Sequence, residues 1–252
     1  MTGRHESNPT PTAPDFGPRA ARYDELRPTD DNWWEVYDAL VQEGDLNGRR
    51  VLDVGSGTGR FAAALSRRAR VWGVDESPQM LEVARERAPE VRFKEASAYA
   101  LPFKDGWFDR ATMWLVVHLL DRPRAYSEIR RVLAPGGRIA VATFDPSYFG
   151  LFWFRAYFPS METIDRARFP TRDDFEAELG AVGFGAPRFR RISQRATVTR
   201  EVALERIRGK HIATFDLIGE DEYRTGLERA EADLPDQVNY RQEWLITGAE
   251  AA

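Results

Sequence analysis

Apolar positions in the first half of the chain alternate between short runs and helical spacing. Val51–Val54 is a short, mostly apolar run of the kind buried on both faces of a sheet. Phe61, Ala62 and Leu65 then fall on one helical face. Val71–Val74 is a second run. Ser77 caps the helix that follows, Pro78 fills its first turn, and Leu81, Ala84 and Ala88 form its apolar face before Pro89 stops it. Val91–Phe93 and Phe108–Leu115 read as the third and fourth strands. Ala125, Ile129, Val132 and Leu133 mark another helix, and Pro135-Gly136-Gly137 turns the chain into the strand Arg138–Phe144. Strands separated by single helices predict βαβ units and a parallel sheet.

Upstream, Trp33, Val36, Tyr37, Leu40 and Val41 predict a helix from Asp31 to about Gly44. The segment Arg22–Pro28 reads as a short helix stopped at Pro28, and residues 1–16, with Pro9, Pro11 and Pro14 among small polar residues, as a disordered tail. Downstream the pattern changes. Residues 148–158 concentrate aromatic side chains. Thr171 and Asp174 form a capping box before Phe175, Leu179 and Val182. Arg188–Val198 and Val238–Thr247 read as strands flanking a largely helical stretch, 200–234.

Composition removes several classes of function. The net charge is -4 and no basic run occurs, which argues against a nucleic-acid partner. With no cysteine, thiol chemistry and Cys-based zinc sites are excluded. His5, His118 and His211 show no metal-ligand spacing, so no metal is expected. No apolar stretch approaches the ~18 residues of a membrane span, and the N-terminus has no secretory apolar core; a cytoplasmic protein is the expectation.

The candidate chemistry begins at Val51-Leu52-Asp53-Val54-Gly55-Ser56-Gly57-Thr58-Gly59, a strand running into a glycine-rich loop and then a helix. Such a loop brings backbone N–H groups and a helix N-terminus close to a ligand. A dinucleotide fingerprint would place its third glycine where Arg60 stands; here Gly59 comes one residue earlier. This disfavours a nicotinamide-dependent oxidoreductase, and no Tyr-x-x-x-Lys motif supports one. Asp75 ends the second strand 20 residues after Gly55, where a carboxylate accepts hydrogen bonds from ribose hydroxyls.

Together with Ala96-Ser97-Ala98 and Leu133-Ala134-Pro135-Gly136-Gly137, these motifs resemble class I S-adenosylmethionine-dependent methyltransferases of the small-molecule group, including ubiquinone, menaquinone and natural-product methyltransferases. The resemblance covers about residues 20–145. It implies a Rossmann-like α/β fold: a seven-stranded, mostly parallel sheet of order 3-2-1-4-5-7-6 with the last strand antiparallel, and helices on both faces. It further implies one domain over 17–252, with core segments 45–147, 171–199 and 237–248 and a substrate cap built from 148–170 and 200–236.

Carried onto this sequence, Gly55, Ser56, Gly57 and Gly59 would line the methionine part of S-adenosylmethionine and Asp53 would order the loop or meet an ammonium group. Asp75 would hold the ribose. Met80 would pack near the adenine, and Ser97 and Ala98 would meet its edge, although an Asp is usual where Ser97 stands. Tyr23 either closes over the cofactor or anchors the first helix. Trp114 would line the cleft. His118, just after the fourth strand, is the first candidate for a general base; His211, in the cap, is a second. His118 can equally be a neutral histidine satisfying backbone groups. The expected partner is a small-molecule acceptor methylated at O, N or C, bound by a monomer or homodimer. The alternative is a non-catalytic protein that binds S-adenosylmethionine or its product.

Overall fold

A computed structural model describes residues 17–25 and 27–252. The expected disordered tail and His5 lie outside the described residues. Among those described, seven strands form one sheet of order β3-β2-β1-β4-β5-β7-β6. These are β1 (Arg50–Val54), β2 (Arg70–Asp75), β3 (Arg92–Glu95), β4 (Phe108–Trp114), β5 (Leu133–Phe144), β6 (Arg188–Thr199) and β7 (Gln237–Glu250). The first five are mutually parallel, and β7 runs antiparallel to both β5 and β6.

The predicted helices form where their apolar faces find the sheet. In α1 (Asp31–Gly44) the Asp30 carboxylate accepts the Trp33 amide, and Val36, Tyr37, Leu40 and Val41 are buried. Helix α2 (Arg60–Leu65) buries Phe61, Ala62 and Leu65. Ser77 caps α3 (Pro78–Arg87), and α4 (Arg122–Val132) buries Ala125, Tyr126, Ile129 and Val132. The capping box of Thr171 and Asp174 opens α6 (Arg172–Ala181). Two clusters result, one on each face of the sheet, centred on residues such as Phe108 and Ile129 and on residues such as Leu40 and Leu65.

A third cluster joins the sheet at Val198 of β6 and Val238 of β7. The aromatic stretch predicted to be unusual folds into two short 3-10 turns, Pro146–Leu151 and Trp153–Ala156, followed by α5 (Ser160–Arg168). Phe154, Phe158 and Met161 from this segment pack on Leu204 and Ile207 of α7 (Arg200–Arg208), on Phe215, and on Ala230 of α8 (Glu220–Asp233).

Two expectations need correction. Among its described residues Arg22–Pro28 is not an α-helix: Arg22 ends a 3-10 turn at Gly17–Arg22, and residues 23–25 form a turn. The Arg27 guanidinium donates to the Tyr23 and His211 carbonyls, and these tertiary bonds win over local helical propensity. The third strand is Arg92–Glu95 rather than Val91–Phe93, a shift of one or two residues at the sheet edge.

Gly226 of α8 lets that helix close on Phe158. A Cβ there would lie 2.3 Å from Phe158 Cε1 and 2.7 Å from the Tyr157 carbonyl oxygen. Overpacking of this kind costs about 1–3 kcal/mol, more than the roughly 1 kcal/mol that Ala gains over Gly in a helix. Gly226→Ala should therefore lower the denaturation midpoint in urea. An unchanged or raised midpoint would show that the helix can shift away from Phe158.

Candidate functional site

The parallel strands β1, β2 and β4 end on the same side of the sheet, and their following loops meet there. The loop after β1 hangs from β2: Gly55 and Ser56 donate their amides to the Val74 carbonyl at 2.8 and 2.9 Å. Asp75 at the end of β2 closes the arrangement. Its Oδ2 accepts the Gly57 amide at 2.8 Å and its Oδ1 accepts the Ser77 amide at 2.9 Å. One carboxylate thus ties together two βα loops. Burial pushes its pKa up, and these amides oppose the shift.

The glycines divide by role. Gly57 has φ +52°, and a Cβ there would meet nothing within 4 Å, so its backbone faces open space. Gly59 has φ +72°, and a Cβ there would lie 2.8 Å from Ala84 Cβ and 2.9 Å from Phe93 Cζ. Its smallness lets α2 sit close to α3 and β3.

Beneath the loop, Asp53 is 1% exposed. It accepts hydrogen bonds from Ser56 Oγ at 2.9 Å and Thr112 Oγ1 at 3.0 Å. Burial outweighs both hydroxyls and pushes its pKa up to about 6. No cation pairs with it among the described residues.

These groups open into a cavity of about 450 Å³. Tyr23, Asp53, Gly55, Ser56, Gly57, Asp75, Met80, Trp114, His118 and His211 all line it. Gly59, Ser97 and Ala98 do not. The Ser97-Ala98 turn follows β3 beside Asp75, whose carbonyl accepts the Ala96 amide at 3.0 Å; Ser97 Oγ accepts the Tyr99 amide.

The rest of the cavity combines an aromatic wall with charged and polar side chains. Trp114 stacks on Trp33 at 5.3 Å between centroids and meets Phe61 and Trp244. Phe144, Phe149 and Phe169 continue this wall under the cap. Leu115, at φ +51°, bends the chain out of β4 and starts the segment 115–119, which carries His118 into the wall.

The histidines do not have the protonation behaviour expected of a base. The His118 ring stacks on Phe169 with centroids 4.1 Å apart and planes within 7°. Its buried Nδ1 has no hydrogen-bond partner. Burial, helped by the nearby Arg168 charge, pushes its pKa down to about 3. His211 is pushed down to about 2 by burial and then by Arg27, Arg206 and Arg60. Both rings are neutral at physiological pH, and both are weak proton acceptors for that reason.

Several lining residues carry no motif and escaped sequence reading: Arg27, Asp165, Arg168, Arg206 and Thr214. Arg27 stacks over Tyr23 at 3.6 Å, and Arg60 donates to the Arg27 carbonyl. Asp165 accepts a hydrogen bond from Thr214 Oγ1 at 2.7 Å, and burial raises its pKa. The arginine-rich composition gave no means of separating these from surface arginines.

Comparison with known proteins follows this geometry. A methyltransferase-domain family model matches residues 51–137, which run from β1 through the turn in β5. A demethylmenaquinone methyltransferase of Thermus thermophilus is 45% identical over 120 residues, 44% of this chain and 54% of that protein. Methyltransferase GfsG of Streptomyces halstedii is 43% identical over 106 residues, 38% of this chain and 37% of that protein. The chain thus spans about half or less of the length of these curated relatives.

Among solved structures, the YcgJ protein of Bacillus subtilis superposes with a TM-score of 0.62 at 22% identity, covering 87% of this chain and 99% of that one. Geranyl diphosphate C-methyltransferase of Streptomyces coelicolor, solved with S-adenosylhomocysteine, gives 0.55 at 18% identity, covering 87% and 79%. The strand order is that of this fold, and residues 51–137 match the methyltransferase-domain family model.

Proposed function

We propose that this chain transfers the methyl group of S-adenosylmethionine to a small-molecule acceptor. The observation that carries the reading is the cradle of Gly57 and Asp75 opening into a cavity whose other side carries an aromatic wall. A nucleoside binder alone needs only the first half.

The residues present fit the donor. The Gly57 backbone is open to approach, and Asp75 retains acceptor capacity beyond its two amide bonds. Asp53 is a buried acid held by hydroxyls alone, and the donor's ammonium group is the kind of cation it lacks. Met80 and Asp75 both line the cavity, on the side assigned to the adenine, while Ser97 and Ala98 lie outside its lining.

When bound, the sulfonium supplies a methyl group already activated for displacement. The protein's part is to position the acceptor and exclude water, and positioning alone is worth ~7–11 kcal/mol. Trp33, Phe61, Trp114 and Trp244 provide the dry wall. Tyr23, held under Arg27, covers the donor side. Specificity is assigned to the cap, 148–170 and 200–236, which supplies the acceptor side of the wall.

Two measurements test this. In calorimetry, S-adenosylhomocysteine should bind and NAD should not. Asp75→Ala should weaken S-adenosylhomocysteine by about 100-fold, the loss of roughly 3 kcal/mol expected when charge-assisted hydrogen bonds and loop order go together. Retained affinity would remove Asp75 from the site.

Asp53 predicts a stability effect of opposite sign to its binding effect. Its folded pKa lies above the unfolded value of about 4, so the native state holds the proton to higher pH. The associated stability is complete below pH about 4 and is lost as pH rises through about 6. Asp53→Asn should flatten that loss and stabilise the ligand-free protein at neutral pH by up to about 3 kcal/mol, while weakening S-adenosylhomocysteine. Denaturant melts at several pH values check the first part; a destabilised variant would contradict it.

A further inference from the structure

Two buried polar atoms on the acceptor side of the cavity have no partner, and they sit together. One is His118 Nδ1 and the other is Arg168 Nε. Arg168 ends α5 and precedes Phe169, the ring on which His118 stacks. Both side chains line the cavity.

Arg168 is held in place through its backbone, because its carbonyl accepts Arg122 Nη1 at 3.0 Å. Its side chain is 11% exposed. The nearest acid, Asp165, is 3.7 Å from Arg168 Nη2, too far for a hydrogen bond, and its oxygen already takes the Thr214 hydroxyl. A guanidinium with five N–H donors is thus enclosed with a loose ion pair and an idle Nε–H. Leaving a buried donor unmade is costly, and such groups in native proteins call for an explanation.

A structural role does not explain the pair. Fold stability would be served by a direct Arg168–Asp165 hydrogen bond or by an apolar side chain at 168. Nor does proton abstraction by His118, since its surroundings keep the ring neutral and weakly basic. In its Nδ1–H tautomer the neutral ring is a donor instead. Both residues then offer N–H groups, one of them on a charged guanidinium, in a cavity also lined by Phe144, Phe149 and Phe169. That combination suits a planar molecule bearing an oxygen anion.

We propose that Arg168 and His118 hold the acceptor's oxygen as an oxyanion, the acceptor being a phenol or enol that gives its proton to bulk water on binding. The inference rests on the methyl-transfer reading. Arg168 supplies the counter-charge, His118 a second N–H, and the aromatic wall the plane. No protein base is then required, because the oxygen is already ionised when it faces the donor.

The test uses 4-nitrophenol, whose ionised form absorbs in the visible. The full chain is saturated with S-adenosylhomocysteine and titrated with the dye across pH. The bound dye should ionise at a pH about one unit or more below its free value. Arg168→Gln should return the bound dye to its free value, and Arg168→Lys should recover part of the shift. Both variants should keep their affinity for S-adenosylhomocysteine within about twofold, which shows that they fold. Dye that stays neutral when bound, that fails to bind saturably, or that shifts equally in Arg168→Gln overturns the proposal. Failure of the wild-type protein to bind S-adenosylhomocysteine is a separate outcome and sinks the methyl-transfer reading itself.

Discussion

The Asp75 carboxylate is where the architecture becomes a site. Parallel strands deliver their loops to one edge of the sheet, but each loop alone has many conformations available to its glycines. By accepting one amide from the loop after β1 and another from the start of α3, Asp75 fixes both with a single side chain. The geometry of Gly57, the opening beside it and the approach to Met80 follow from that bridge. The acid can do this only because it stands at the last residue of β2, in register with Glu95 on one side and next to β1 on the other.

The cavity around it concentrates groups that burial alone would not favour. Asp53, Asp165 and Asp75 are all held toward their protonated forms, and Arg27, Arg60 and Arg168 are pushed toward lower pKa. Each group is individually unfavourable in a low-dielectric surrounding. Their presence in one place, above a sheet whose other surfaces are packed with aliphatic and aromatic side chains, is the pattern expected where ligand charges complete the pairing.

The glycine-loop half of the cavity was legible in the sequence because it is local. The strand, loop, Asp75 and Ser77 cap lie within 27 residues, and each position is dictated by a backbone requirement that the residue types reveal. The sheet order followed from the resemblance, and the structure has the same order. The opposite half was not legible. Arg168 meets His118 across 50 positions, and Thr214 meets Asp165 across 49, through packing between segments with no shared periodicity. His118 shows the limit most clearly: sequence placed it correctly after β4, but only the surrounding Phe169 and Arg168 reveal that it is a poor base. The misjudged helix at Arg22–Pro28 has the same cause, since its conformation is set by carbonyls the chain reaches only near residue 211.

Those bonds from the N-terminal segment matter beyond its own shape. Arg19 reaches the Lys210 carbonyl and Asp216, and Arg27 reaches the Tyr23 and His211 carbonyls, while Arg60 at the head of α2 grips the Arg27 carbonyl. One strip of chain is therefore fastened at once to the glycine-loop helix and to the cap. It cannot lift from the head of α2 without also loosening the far wall, so the two halves of the chamber share a single hinge-pin. A displacement of this strip therefore disturbs both walls of the cavity at once.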